Sequence, residues 1–161
     1  MSNSLTQKLI FVRKLKQTDL KKLVKFRNKK IIWKLTGGGG FNKKVTINDE
    51  IAWFKKVNKK KDRLNLAICL NEKYIGNIYF TDITKSSAQF HIFIGENSLW
   101  GKGIGSKSMI LSLNFLRTNL DIKKIYLKVK KENTSAIKLY EKCGFKIKKK
   151  LDNNDYLMTN Y

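Results

Sequence analysis

The chain has 161 residues, of which 42% are hydrophobic, and carries a formal net charge of +23. That size and apolar share suit a single globular domain, residues 1–161, with a full core. They argue against a membrane-spanning protein, because no apolar run approaches the roughly 18 residues of a span. A secretory signal is not expected either, since residues 1–8 have no apolar segment.

In chain order, residues 9–15 read as a first strand. Thr18 or Asp19 can cap a helix running to about Asn28, with Leu20, Leu23, Val24 and Arg27 near helical spacing. Residues 34–44 contain four consecutive glycines, 37–40, and read as a loop rather than a helix or strand. Thr46, with Asp49 and Glu50 in the first turn, starts a second helix through Ile51, Phe54 and Val57. A meander follows: strand 64–70, a tight turn at Asn71-Glu72, strand 74–82, a turn at 84–87 and strand 88–94. A long helix from about Gly103 to Asn119 comes next, with Ile104, Met109, Leu111, Leu113, Phe115 and Leu116 as its buried positions. Residues 125–129 form a short buried strand, and Asn133 caps a helix that ends near Gly144. Strands at 145–150 and 156–158 close the sheet. The order β-α-α-β-β-β-α-β-α-β-β defines a mixed α+β sheet.

The charge has two readings. Lys clusters bind polyanions such as RNA in a salt-dependent way, so a basic RNA- or ribosome-binding module is one expectation. The other is compositional. The cations are almost all Lys, spread along a chain rich in Asn and Ile and devoid of Pro, as drift toward A/T-rich codons would leave it. Nucleic-acid sites favour Arg for bidentate contacts, which makes nucleic acid the less favoured partner. Cys69 and Cys143 lack metal-ligand spacing and read as free thiols, which fits a reducing cytoplasm and no bound metal.

The chemistry concentrates in Leu99-Trp100-Gly101-Lys102-Gly103-Ile104-Gly105-Ser106, three alternating glycines between a strand and a helix. Glycines allow close approach of backbone N–H groups, and the positive end of the helix dipole faces the same point, a combination that suits a pyrophosphate. A second block follows in the run Asn133-Thr134-Ser135-Ala136-Ile137-Lys138-Leu139-Tyr140-Glu141-Lys142-Cys143-Gly144-Phe145. The pair of blocks resembles the GCN5-related N-acetyltransferase (GNAT) family, whose loop reads Arg/Gln-x-x-Gly-x-Gly/Ala and whose later block reads Asn-x-x-Ala-x-x-Leu-Tyr-x-x-x-Gly-Phe. The Trp-Gly-Lys-Gly form is similar to the branch of ribosomal-protein N-terminal and amino-sugar N-acetyltransferases.

The resemblance implies a mixed, mostly antiparallel sheet flanked by helices. It also implies direct transfer of an acetyl group from acetyl-CoA to a primary amine. A small molecule or nucleotide-linked amino sugar is slightly favoured over a protein N-terminus, and a homodimer is admitted. It places the cofactor on Phe93, Ile94, Gly101, Lys102, Gly103, Ile104, Gly105, Ser106 and Asn133. Trp100 stands where relatives carry Arg or Gln, so its indole is expected to pack under the loop, with Lys102 or Lys107 assisting the backbone amides. Tyr140 matches the tyrosine that protonates the departing thiolate, and a phenol of ordinary pKa is protonated at neutral pH.

The general base is less legible. Gln89, His91 and Phe93 share one strand face, and Phe90, Ile92 and Ile94 the other. Gln89 can orient a water but cannot ionise. His91, the only histidine, can serve near neutral pH. Asp82, Glu96 and prior loss of the proton to solvent are the alternatives. For the acceptor, Arg27, Trp33, the loop glycines Gly38 and Gly39, and Trp53 are the candidate lining, with core packing the stronger reading for Trp53.

Overall fold

The computed structural model describes residues 9–36 and 43–161. Seven strands form one sheet in the order β1-β2-β3-β4-β5-β7-β6. They are β1 (Ile10–Lys14), β2 (Leu64–Leu70), β3 (Lys73–Thr81), β4 (Ser87–Ile94), β5 (Lys124–Lys130), β6 (Lys146–Lys150) and β7 (Asp155–Thr159). Five α-helices accompany them: α1 (Leu20–Arg27), α2 (Lys30–Thr36), α3 (Ile47–Val57), α4 (Ile104–Leu120) and α5 (Thr134–Lys142). Neighbouring strands run antiparallel except β4 and β5.

Local chemistry accounts for most of these boundaries. Asn71 and Glu72 both take positive φ, 47° and 68°, the conformation that a two-residue hairpin between right-twisted strands requires. Thr46 and Asp49 form a capping box that starts α3. The Asn133 side chain accepts from the Ala136 N–H at 3.3 Å to start α5.

Two expectations near the N-terminus are corrected. Lys30–Thr36 is a third helix before the meander, so the order is β-α-α-α-β-β-β-α-β-α-β-β. The adjacent glycine run masks this short helix, whose Ile32 is buried. Asp19 does not cap α1 from the N-cap position. A 3₁₀ turn at Gln17–Asp19 precedes α1, and the Asp19 carboxylate accepts from the Lys16 N–H and from Arg13 through two bonds of 2.8 Å. The glycines at 37–40, Gly38 and Gly39 among them, lie outside the described residues.

The sheet buries both faces of β2. Leu66 and Ile68 join the larger core with Phe80, Phe90, Met109, Leu116, Tyr140 and Phe145, on the side of α4 and α5. Ala67 and Cys69 join Leu20, Leu23, Phe26 and Tyr74, on the side of α1 and α3. In α4 the sequence reading needs adjustment. Leu111, Leu113 and Phe115 are only half-buried, while Ser108 and Ser112 are fully buried. Those hydroxyls donate to Ile104 O and Met109 O at 2.7 and 2.8 Å, which removes the penalty for burying them.

The parallel pairing of β4 with β5 is short. It joins Ser87–Gln89 to Lys124–Tyr126, after which β4 stays paired only to β3 and β5 only to β7. The two strands therefore part beyond Gln89, and the sheet opens between them.

All five residues of β6 are exposed, four of them Lys, an arrangement that also discourages edge-to-edge pairing. If the Lys excess is compositional, added RNA will bind weakly, with steep salt dependence. Filter binding across a salt series tests this, and sequence-selective binding that survives physiological salt would contradict it. Among the described residues, no helix is long and apolar enough to cross a membrane.

Candidate active site

The opening between β4 and β5 leads into a cleft of about 830 Å³. It brings together Gln89, His91, Phe93 and Ile94 of β4, Gly101, Gly103, Gly105 and Ser106 of the glycine loop, and Asn133 and Tyr140 of α5. Arg27, Trp33 and Tyr79 complete its far end. Lys102 and Ile104 do not line it. Lys102 is exposed, and the Ile104 side chain is packed in the core, leaving only its backbone for a ligand.

The loop is built to present amides. Gly103 holds φ +75° as the N-cap of α4, and the first intrahelical bond of that turn is Lys107 N–H to Gly103 O at 3.1 Å. The N–H groups of Ile104, Gly105 and Ser106 thus have no intrahelical acceptor and mark the positive end of a 17-residue helix. A Cβ on Gly105 would lie 2.5 Å from Leu139 Cδ1, so this glycine lets α5 close against α4. Trp100 fastens the loop, its Nε1–H donating to Ile94 O at 2.9 Å. Trp100 itself also lines the cleft.

Tyr140 is buried against Phe90 and Phe145, with ring centroids 6.2 and 6.4 Å away. Burial pushes its pKa up, so the phenol stays protonated at any physiological pH. Its hydroxyl has no hydrogen-bond partner among the described residues.

The two faces of β4 separate as read: Ile92 and Ile94 pack on the larger core with Phe90, while Phe93 packs on the α1–α3 side. His91 differs from expectation. Burial, followed by the charge of Arg63, lowers its pKa to about 4, against the opposing pull of Asp82. Thr81 Oγ1 lies 2.9 Å from its Nε2. The ring is therefore neutral across the working range and weakly basic, rather than titrating near pH 7. Glu96 is held by Lys22 and Lys29 at 3.4 and 3.9 Å and does not line the cleft, nor does Asp82.

At the far end of the cleft, Phe26-Arg27-Asn28 ties three parts of the fold together. Phe26 packs directly under Gly95, where a Cβ would come within 2.1 Å of its ring. Asn28 clamps Val45 through two bonds of 2.9 Å. Arg27 pairs with the buried Glu50 at 3.0 Å, donates to the Tyr79 hydroxyl at 3.1 Å and stacks on the Trp53 ring at 4.6 Å. Trp33 donates its Nε1–H to Arg27 O. Trp53 backs Arg27 from outside the cleft, consistent with a packing role.

The sequence reading missed Tyr79, Lys128, Lys130, Lys138, Lys142 and Asp155, all of which line the cleft. A signal existed for the lysines. Lys128 and Lys130 alternate with buried Leu127 and Val129 in β5, and Lys138 and Lys142 are one helical turn apart in α5. Among the described residues no cluster of His, Cys, Asp and Glu could hold a metal ion.

A cleft that gathers orphan amides of a helix start and the unpartnered phenol of Tyr140 suits a ligand with an anionic group. The family model described as "Acetyltransferase (GNAT) domain" matches residues 10–146. The chain belongs to the GNAT acetyltransferase family. An uncharacterized protein of Methanocaldococcus jannaschii is 28% identical over 154 residues, covering 92% of this chain but 30% of that protein. Acetyltransferase PseH of Campylobacter jejuni is 27% identical over 105 residues, 65% of each chain. The chain thus spans less than two thirds of these relatives' length. Spermidine N-acetyltransferase from Vibrio cholerae, solved with CoA and spermine, superposes with a TM-score of 0.81 at 23% identity, covering 93% of this chain and 92% of the other. At that identity the likeness speaks for the fold.

Proposed function

We propose that this protein transfers the acetyl group of acetyl-CoA directly to the primary amine of a small molecule. One observation carries the reading: the Tyr140 hydroxyl, unpartnered and protonated, lies in the same cleft as Gly105 and Ser106, whose amides are free. The amides would hold the pyrophosphate of CoA, with Lys138 and Lys142 beside them. The edge of β4 left unpaired beyond Gln89 offers backbone groups to the pantetheine arm. The names of relatives support an amine acceptor, since they include a spermidine acetyltransferase.

In this mechanism the amine attacks the thioester carbonyl, the C–S bond breaks, and Tyr140 donates a hydrogen bond to the departing thiolate. Its raised pKa favours stabilising the sulfur over giving up the proton outright. Gln89 and neutral His91 orient the amine or a water, while the amine itself loses its proton to solvent. Thermal stabilisation by acetyl-CoA, followed by an amine screen that reads released thiol, tests the proposal. Absence of any stabilisation would overturn it.

A pH prediction follows from His91. Its pKa of about 4 leaves it neutral at every pH above roughly 5, so it adds no limb to the rate profile near 6.5. The rate should rise with pH as the acceptor amine deprotonates, and His91→Gln should leave that midpoint in place. A midpoint that shifts in the variant would restore His91 as the base.

A further inference from the structure

We infer that Arg27 is a specificity-determining residue that anchors an oxyanion, a carboxylate or phosphate, carried by the acceptor. This rests on the acetyl-transfer reading of the cleft and adds the acceptor's charge class to it.

The guanidinium is bounded on three sides, with Nε in an ion pair that is not an aligned hydrogen bond. Its Nε faces Glu50 Oε1 at 3.0 Å, its Nη2 donates to the Tyr79 hydroxyl at 3.1 Å, and its plane lies over Trp53. Tyr79 is held in turn by the Asn77 amide at 2.6 Å. Nη1 has no partner among the described residues, and the side chain retains 24% exposure where it lines the cleft. A guanidinium that is prepositioned and open along one edge is suited to bind a carboxylate or phosphate, because little side-chain freedom remains to be lost.

Glu50 is 3% exposed and its Oε2 is unpartnered, so its carboxylate is sequestered behind Arg27 instead of facing the ligand. Apart from Lys138 and Lys142 beside the pyrophosphate amides, the cleft's other charged lining is Lys128 and Lys130 against the single carboxylate of Asp155. Behind burial as the main cause, Arg63 and Lys128 also lower the pKa of His91, against the opposing pull of Asp82. A polycationic amine would be repelled here. An amine bearing a negative group meets an open guanidinium edge.

The test uses the full chain loaded with CoA and follows the arginine Nε–H resonances, which can arise from Arg13, Arg27, Arg63 and Arg117. Arg27→Lys assigns the Arg27 signal. Glucosamine 6-phosphate, muramic acid, glucosamine and spermidine are titrated separately. The Arg27 resonance is expected to move with the phosphate or the carboxylate sugar and to stay with glucosamine and spermidine. Whichever anionic probe acts at lower concentration identifies the preferred oxyanion. In turnover, Arg27→Lys should raise KM for the anionic acceptor by roughly 10- to 100-fold, the weight of one charged hydrogen-bonded contact, and by more than it raises KM for glucosamine. Glu50→Gln, which loosens Arg27 without removing it, should raise the same KM and spare kcat. A silent Arg27 resonance with both anionic probes, or an equal response to glucosamine or spermidine, would overturn the inference. Loss of CoA-induced thermal stabilisation would instead indict the parent reading.

Discussion

Tyr140→Phe is expected to keep the fold and nearly all acetyl-CoA affinity while lowering kcat by about 10²–10⁴. The ring contacts with Phe90 and Phe145 survive the substitution, and the lost hydroxyl leaves no buried protein group without a partner. KM should change little, because charge builds on the sulfur only as the C–S bond breaks. The raised pKa of the phenol makes complete proton transfer costly, so the loss should fall toward the lower end of the range. An acyl donor with a better leaving thiol should recover part of the deficit. Steady-state kinetics on the folded variant decide the matter: a wild-type rate, with chemistry shown to limit, would reduce Tyr140 to a packing residue.

Gly103→Val and Gly105→Val should each abolish acetyl-CoA binding, for different reasons. At Gly103 a Cβ meets no atom within 4 Å, but φ is +75°, where a β-branched residue is strained. Valine there would twist the N-cap and turn the first-turn amides away from the cleft. At Gly105 the Cβ would stand 2.5 Å from Leu139 Cδ1 and push α5 off α4. Leu139 immediately precedes Tyr140, so the second variant should also lower kcat for whatever cofactor still binds. Calorimetric titration with acetyl-CoA, alongside circular dichroism for folding, measures both effects. Unchanged affinity in a folded variant would remove the loop from the cofactor site.

Elements governed by neighbours in sequence were legible. The hairpin at Asn71-Glu72, the Thr46 box, the Asn133 cap and the two faces of β4 all lie within a few residues of the side chains that cause them. The short α2 was not, because Lys30–Thr36 is under two turns beside a glycine run and carries little periodic signal. Asp19 misled for a related reason. It has the chemistry of a cap, but the nearby Arg13 guanidinium of β1 takes both carboxylate oxygens.

By itself, the sequence determined most of the element order, the glycine loop at a helix start and the Asn133–Tyr140 block, hence the family. Only the tertiary structure decided what surrounds Arg27 and His91. Arg27 meets Tyr79 across 52 positions of chain, and their contact depends on α1, α3 and β3 packing together. His91 has an unremarkable local sequence, and its pKa of about 4 arises from burial and from Arg63 and Lys128 on other strands or turns. The same holds for the cleft itself, which exists because β4 and β5 pair over only three residues before parting. Periodicity and capping are short-range and survive in a linear reading. Burial and electrostatic fields are sums over groups distant in the chain, and they acquire values only when the fold brings those groups together.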